Sequence, residues 1–400
     1  MPFVLDRIAT IDPIQTIIVR IARFLRVSLV GMSCLCVLTA GGRGQTNGSV
    51  DNPRPASGIP APRREVEASD PAFSYQGRFD VTDRAAPVVV WESSRISFDF
   101  EGSVLALRFG RATGQNFFNA QLDGESRIVA VEPGIQAKIA WPDPIGPGRH
   151  HLVLVKRSEA SAGSVAFRGI EVAPGKRVER PAPAKAALRM LFFGDSITAG
   201  ACDEDGAADQ WENRRTHNAE LSYAALTAYA FGADFENISV SGIGIVTGYV
   251  DVTFDEIWDR LYPVRDAPRA DLSAWRPDVV FLNFGGNDTS YPLSKGLPFP
   301  ASFADRYVKV LAEVRSAYPD VEMVLLRGGM SETENDPVLI AAWSDVVRRV
   351  EAHDRRCCHF VFVHHTDLHP RAVDHQRMAA ELIQWLRGQS FMSALGAAPS

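Results

Sequence analysis

The chain has 400 residues, of which 46% are hydrophobic and 22% are charged. This ordinary globular composition excludes a collagen-like, coiled-coil or wholly disordered chain, and the length predicts two or three domains. With 42 Lys and Arg against 48 Asp and Glu, the formal net charge is −6, which gives no electrostatic reason to expect a nucleic-acid partner.

The first 42 residues have the pattern of an export segment. Arg20, Arg23 and Arg26 precede an uncharged run, residues 27–40, which is followed by small residues. A basic flank, a short apolar run and small residues follow one another in this order in signal peptides. We therefore predict a secreted or periplasmic protein. The alternative is a membrane or lipid anchor formed by this segment, although the run is short for a membrane span.

A flexible tether is predicted over residues 43–71, which begin rich in Gly, Pro, Asn and Ser. Short β-rich segments separated by Gly, Pro and Asp-Gly follow over residues 72–175. In RISFDF, for example, Ile96, Phe98 and Phe100 alternate with polar residues. Such alternation with frequent turns predicts half-buried strands in an all-β sandwich.

After a Pro- and Ala-containing linker predicted over residues 176–187, the pattern changes to buried strands that alternate with amphipathic helices. The strand segments are MLFFGDS, DFENISVSG, DVVFLNFGG, VEMVLLRGG and HFVFVHH. This alternation predicts an α/β domain with a doubly wound parallel sheet over residues 188–390, followed by a flexible tail over residues 391–400.

Polar and glycine-rich motifs follow the strands of the predicted sheet, where ligands bind in doubly wound proteins. Gly-Asp-Ser places Ser196 after the first strand, and Ser-Gly places Gly242 after the second. Gly-Gly-Asn-Asp places Asn287 after the third, and Asp-Leu-His-Pro places His369 after the last. Alone, Ser196 could be a helix N-cap, the glycine motifs could be simple turns, and His369 could be a surface residue or a metal ligand. Together they predict a serine nucleophile with a histidine base.

The order of these four motifs resembles the SGNH, or GDSL-type, hydrolases over residues 189–388, with Ser196, Gly242, Asn287 and His369 as the four named residues. The preceding sandwich, which contains WESSRISFDFEG, makes the chain similar to carbohydrate esterase family 2. This resemblance implies a flavodoxin-like hydrolase domain behind a jelly-roll domain. It also implies removal of acetyl groups from hemicellulose-type polysaccharides or oligosaccharides, without a metal or other cofactor.

The expected mechanism is acyl transfer through an acetyl-enzyme. Ser196 would attack the ester, His369 would act as general base and then acid, and the Ser196 and Gly242 amides with the Asn287 side chain would bind the oxyanion. Many SGNH enzymes carry Asp three residues before the histidine, where this chain has Thr366. Asp367 is therefore the predicted orienting acid, and a backbone carbonyl is the alternative.

Further residues have weaker expected roles. Asp195 and Asp288 are expected to support the site by hydrogen bonds. Four aromatic residues could form a sugar-stacking wall or could simply pack: Trp211, Trp258, Trp275 and Tyr291. Cys202, Cys357 and Cys358 leave at least one unpaired thiol in the exported chain, with a bridge to Cys202 left open.

Two other functions remain open on the sequence. One is a GDSL-type lipase or thioesterase that acts on other small esters. The other is an inactive carbohydrate-binding protein. We expect no contact with a membrane except through the N-terminal segment.

Overall fold

The computed structural model describes residues 63–182, 186, 188–331 and 335–396. The predicted export segment, and the predicted tether up to residue 62, therefore lie outside the described residues. The last part of the predicted tether is not flexible: Arg64–Glu67 is a strand that pairs with residues 169–172, and Val66 and Ala68 are buried, so the prediction was wrong there. Among the described residues, no helix has the length and apolar character that a membrane crossing requires.

Two six-stranded antiparallel sheets form the N-terminal sandwich. The first sheet has the order β3-β4-β11-β6-β9, and β1 also pairs with β11. Its strands are β1 (Arg64–Glu67), β3 (Phe79–Asp80), β4 (Val88–Val89), β6 (Leu105–Gly114), β9 (Ala137–Ala140) and β11 (Gly163–Val172).

The second sheet has the order β12-β5-β10-β7-β8, with β2 also on β5. Its strands are β2 (Ser74–Gln76), β5 (Arg95–Glu101), β7 (Asn116–Leu122), β8 (Glu125–Val131), β10 (Arg149–Lys156) and β12 (Val178–Glu179). The alternation predicted for β5 is present, because Ile96, Phe98 and Phe100 are all buried. β12 lies inside the segment predicted as a linker. It pairs with β5, and its Val178 packs against the sandwich core.

The second half contains a five-stranded parallel sheet with the order β14-β13-β15-β16-β17. These strands are β13 (Arg189–Gly194), β14 (Asp234–Ser239), β15 (Val279–Asn283), β16 (Glu322–Arg327) and β17 (Cys357–Val361). The order 2-1-3-4-5 is that of flavodoxin-like sheets, in which ligands bind beside the carboxyl end of the first strand. The predicted fold class, an α/β doubly wound sheet behind an all-β sandwich, is thereby confirmed.

Helices cover both faces of this sheet. They are α1 (Ser196–Ala199), α2 (Tyr223–Ala230), α3 (Phe254–Ile257), α4 (Gly286–Ser294), α5 (Phe303–Ala317), α6 (Pro337–Glu351), α7 (Ala372–Arg387) and α8 (Ser390–Ala394). Successive β13 residues enter different cores: Phe193 joins one hydrophobic cluster and Phe192 the other. Burial on both faces explains the continuous apolar run in this strand.

The C-terminal segment differs from the prediction of a flexible tail. α8 begins at Ser390, and Met392 is buried in the same cluster as α7. An apolar side chain that reaches the core holds this last turn in place. Residues 397–400 lie outside the described part of the chain.

Candidate active site

Ser196 is the first residue of α1 and follows the last residue of β13, Gly194, by two positions; β13 is the strand next to the end strand β14. Asp195 caps this short helix, because its carboxylate accepts a hydrogen bond from the Ile197 amide at 3.0 Å. Gly194 allows the sharp entry, since a Cβ there would lie 2.0 Å from the Thr198 hydroxyl. Ser196 therefore lies at the carboxyl end of the sheet, at the point where the strand order reverses.

Gly242 lies in the turn after β14 with a φ of 81°, a left-handed conformation that favours glycine. Its carbonyl accepts a hydrogen bond from the Tyr249 amide at 2.8 Å, which closes the turn. Within the described part of the chain, neither the Ser196 amide nor the Gly242 amide has a hydrogen-bond acceptor. Both N–H groups are thus available to a ligand.

The Asn287 side chain connects these two segments. Its Nδ2 donates to the Ile243 carbonyl at 2.9 Å and to the Asp195 carboxylate at 3.2 Å. Ile243 follows Gly242 and Asp195 precedes Ser196, so the carboxamide lies between the two free amides. The ends of β13, β14 and β15 therefore bring together two free amides and a carboxamide, which can donate to a developing oxyanion when it gives up the 3.2 Å contact with Asp195.

His369 Nδ1 lies 2.7 Å from the carboxylate of Asp209, in the loop that follows α1. Asp367, the predicted orienting acid, instead accepts a hydrogen bond from Ser331 Oγ at 2.6 Å. The prediction of Asp367 is thus corrected by the geometry. The loop turns the Asp367 side chain toward Ser331, and a residue 160 positions away takes its expected place. The main sequence signal for Asp209 was an acidic segment, DEDGAAD, shortly before Trp211.

Arg371 fixes Asp209 in this position. Its guanidinium donates to Asp209 Oδ1 at 2.7 Å and to the main-chain carbonyls of Cys202, Gly206 and His369, each at 3.0 Å. The hydrogen bond from His369, together with Arg371, holds the pKa of Asp209 below its usual range. Asp209 is therefore an ionised acceptor, which favours the His369 tautomer with the proton on Nδ1 and leaves Nε2 as the basic nitrogen.

Two buried aspartates, Asp195 and Asp288, lie beside the Asn287 side chain and the segment after Gly242. Burial raises the pKa of Asp195 to about 7 and that of Asp288 to about 6. Asp288 accepts hydrogen bonds from the amides of Ile245, Val246 and Thr247 at 2.7–3.1 Å. It thereby fixes the segment after Gly242, and the supporting role expected of Asp288 from the sequence stays a prediction.

Replacing Asp288 with asparagine is expected to destabilise the fold more at about pH 5 than at about pH 7.5. The folded pKa of about 6 lies above the ordinary value of 3.8. The carboxyl group therefore stabilises the native state fully below the unfolded pKa and loses this contribution as pH rises through the folded pKa. The asparagine side chain cannot ionise, so the stability gap between wild type and variant should shrink by about 1 kcal/mol over this interval. Urea unfolding of both proteins at the two pH values measures this difference in unfolding free energy. A difference that stays equal or grows as pH rises would contradict the raised pKa of Asp288.

The four predicted aromatic residues separate into different environments. Trp258 packs in the core against Phe193, and the Trp275 indole donates to Asp234 at the start of β14. These two are therefore packing residues. Trp211 lies against His369, with ring centroids 5.6 Å apart and an interplanar angle of 32°.

Tyr291 lies on α4, the helix that also carries Asn287. It contacts Tyr249, with ring centroids 5.2 Å apart. Tyr249 is 56% exposed and carries the amide that binds the Gly242 carbonyl. The two tyrosines form an open aromatic surface next to the Gly242 turn.

Donor atoms of Cys202, Asp209 and His369 lie within 4.8 Å of one another. This group fits a metal ion poorly, because Arg371 and His369 already engage both oxygens of Asp209. Burial, reinforced by the charge of Asp209, also raises the pKa of the Cys202 thiol, which disfavours the thiolate that a metal would bind. Cys202, Cys357 and Cys358 are all free thiols.

Two family models match the chain. Residues 75–183 match the carbohydrate esterase 2 N-terminal family, and residues 192–385 match the GDSL-like lipase/acylhydrolase family. The chain pairs a carbohydrate esterase 2 N-terminal domain with a GDSL-like acylhydrolase domain. Its homologues are family 2 carbohydrate esterases, so the resemblance derived from the motifs is confirmed.

Among the relatives is the cellulase/esterase CelE of Acetivibrio thermocellus, 32% identical over 273 residues. That match covers 66% of this chain but spans only 32% of the length of CelE. An acetylxylan esterase/glucomannan deacetylase of Cellvibrio japonicus is 25% identical, with 80% of this chain and 90% of the relative covered. The structure of a family two carbohydrate esterase from Clostridium thermocellum with cellohexaose has a TM-score of 0.70 and 28% identity, covering 81% of this chain and 99% of that one.

Proposed function

We propose that this chain is a carbohydrate O-acetylesterase that uses a serine nucleophile and an acetyl-enzyme intermediate. The observation that carries the proposal is the meeting of Ser196, Gly242 and Asn287 at three adjacent strand ends, in a domain that also holds the His369–Asp209 pair. The enzymatic activities named for the Cellvibrio and Acetivibrio relatives support an acetylated glycan as substrate.

In the first half-reaction, Ser196 Oγ attacks the acetyl carbonyl carbon while His369 Nε2 takes the hydroxyl proton. Asp209, hydrogen-bonded at Nδ1, stabilises the imidazolium that forms. The carbonyl oxygen becomes an oxyanion, which the Ser196 and Gly242 amides bind together with Asn287 Nδ2, whose hydrogen bond to Asp195 is exchanged for one to the oxyanion. One such donor typically contributes about 3–4 kcal/mol to the barrier reduction.

The tetrahedral intermediate collapses as the C–O bond to the sugar breaks and His369 returns its proton to the departing sugar oxygen. Water then attacks the acetyl-enzyme with His369 again as base, and acetate leaves from the regenerated Ser196. The chain's own residues supply each proton transfer, and the sugar ring can pack on the exposed face of Tyr249 beside the Gly242 turn.

The proposal includes export from the cell. It rests on Arg20, Arg23 and Arg26 before the apolar run of residues 27–40, and on the polymeric substrates named for the Cellvibrio relative. Enzymes that act on such polymers need access to the outside of the cell. Amino-terminal sequencing of protein recovered from the medium or periplasm tests this part.

The test of the function is acetate release from acetylated xylan and acetylated glucomannan by the purified protein. We expect release from at least one of them, with p-nitrophenyl acetate hydrolysed at least about tenfold faster than p-nitrophenyl octanoate, because a deacetylase binds a short acyl group. A preference for octanoate would support a lipase, the alternative left open by the sequence. Glycan binding without hydrolysis of any ester would refute the enzymatic proposal in favour of a binding protein.

A further inference from the structure

Two glutamates of the sandwich cover the outer edge of β14, the end strand that leads to Gly242. Glu92 accepts a hydrogen bond from the Ser239 amide at 3.0 Å, and Glu159 accepts one from the Ser241 amide at 2.8 Å. The amide between them, Val240 N–H, points the other way and donates to the Gly194 carbonyl at 3.2 Å. Successive amides of an extended strand point to opposite sides. The two carboxylates therefore accept the hydrogen bonds of the outward-pointing amides, and β13 accepts those of the amides on its own side.

The second oxygen of each carboxylate has a different kind of partner. In Glu92 it accepts the Ala160 amide at 3.0 Å, which belongs to the same sandwich. In Glu159 it pairs with the guanidinium of Arg214 at 2.9 Å, which belongs to the loop of the hydrolase domain that also carries Asp209. Glu159 therefore bridges two separate segments of the hydrolase domain, whereas Glu92 contacts one.

The Arg214 contact continues to the histidine. The guanidinium lies over the Trp211 ring at 4.2 Å from its centroid, and the same ring packs against His369. One carboxylate thus touches the strand end before Gly242 and, through Arg214 and Trp211, supports the ring of His369. Glu92 and Glu159 are both only 1% exposed, so their hydrogen bonds are shielded from water.

Neighbouring contacts hold the same sandwich segment against this loop. Arg157 donates from Nε to the His217 carbonyl at 3.3 Å and forms an ion pair with Glu204. The Arg157 carbonyl accepts the Ala219 amide at 2.9 Å. The segment before Glu159 is therefore fixed independently of the Glu159 side chain, and a change in that side chain should leave the domain contact intact.

We propose that Glu159 is a positioning residue of the reaction, through which the sandwich sets the Gly242 turn and the His369 ring in register with Ser196. The proposal rests on the proposed function and extends it, because it makes the N-terminal sandwich part of the catalytic apparatus. Positioning of this kind acts on the transition state more than on substrate binding, so its loss lowers kcat with little change in KM.

Glu159→Gln and Glu92→Gln form a matched pair of variants. Both partners of each carboxylate are donors, so in either case the new NH₂ group faces a donor and one hydrogen bond is lost. Glu159→Gln also removes the ion pair with Arg214, so we expect its unfolding temperature to fall at least as far as that of Glu92→Gln. We expect kcat for p-nitrophenyl acetate to drop about tenfold or more in Glu159→Gln only, with KM within about twofold.

Amide hydrogen exchange gives a readout that does not depend on activity. Glu159→Gln should speed exchange both in the peptide covering residues 239–242 and in the peptide covering His369, whereas Glu92→Gln should affect only the first. Arg214→Met should affect chiefly the second, because the contact between Glu159 and the Ser241 amide remains.

The outcomes separate the two proposals. A wild-type protein without esterase activity refutes the proposed function, and the exchange rates then still test the positioning role. An active wild type with kcat of Glu159→Gln within about threefold, or with an equal loss in Glu92→Gln, overturns the positioning role alone. Unchanged exchange around His369 in Glu159→Gln overturns it as well.

Discussion

Replacing Ser196 with alanine is expected to lower kcat for acetyl ester hydrolysis by about 10⁴-fold or more. Alanine retains the backbone amide and the α1 position but removes the oxygen that forms the acetyl-enzyme. The Asp195 cap and the Asn287 hydrogen bonds do not involve the Ser196 hydroxyl. The fold should therefore be preserved, and KM or substrate binding should change little. Initial rates on acetylated xylan and on p-nitrophenyl acetate measure the effect.

Ser222→Ala is the matched control. Ser222 is also a buried serine in the hydrolase domain, but its hydroxyl caps α2 by accepting the Ala225 amide at 3.3 Å. Its loss should cost about 1 kcal/mol of stability and leave kcat unchanged. A fluorophosphonate, which labels activated serines, should modify wild type and Ser222→Ala but not Ser196→Ala. Labelling or turnover that survives in Ser196→Ala would mean that another residue is the nucleophile.

Replacing Asp209 with asparagine is expected to lower kcat by about 10³–10⁴-fold. The new carboxamide can turn its NH₂ toward His369 Nδ1, which favours the tautomer with the proton on Nε2. That tautomer cannot accept the Ser196 proton. Arg371 would still have an oxygen acceptor in that orientation, so the wrong tautomer is also the one that the surroundings favour. The fall should appear in kcat/KM as well as in kcat, because the base is already disabled in the free enzyme.

Asp367→Asn tests the acid predicted from the sequence against the one in the structure. Asp367 accepts from Ser331 Oγ, and an asparagine oxygen can accept the same hydrogen bond. We therefore expect kcat of Asp367→Asn within about threefold of wild type. If Asp367→Asn loses activity and Asp209→Asn keeps it, the orienting carboxylate is the one two residues before the histidine. If both variants lose activity by more than about 100-fold, the two carboxylates share the role.

The strand-end residues could be predicted from the sequence because their positions follow from local patterns. A continuous apolar run ending in Gly-Asp-Ser sets both the strand β13 and the position of Ser196 after it. In a parallel sheet all carboxyl ends lie at one edge, so Gly242 and Asn287 had to lie near Ser196 once their strands were assigned. The helices α5 and α6 were predictable for the same reason, since their apolar stripes repeat at helical spacing.

The contact between Asp209 and His369 could not be predicted, because the position of Asp209 depends on the path of a loop. Asp209 and His369 are 160 residues apart, and the loop conformation depends on Arg371 and on contacts with the sandwich. Asp367 was predicted because it is close to His369 along the chain, and the sequence does not show distances in space. The environments of Trp258 and Trp275 could not be predicted for the same reason, since the neighbouring sequence does not show whether a tryptophan is exposed or buried in a core.

The sequence by itself determined the two-part architecture and predicted a serine hydrolase with four motif residues, because hydrophobic periodicity and strand-end motifs are local properties of the chain. Only the tertiary structure decided that Asp209 contacts His369 and that Glu159 reaches the Ser241 amide before Gly242. Both are single hydrogen bonds between distant segments, and such contacts exist only after the loops and the two domains have packed against each other.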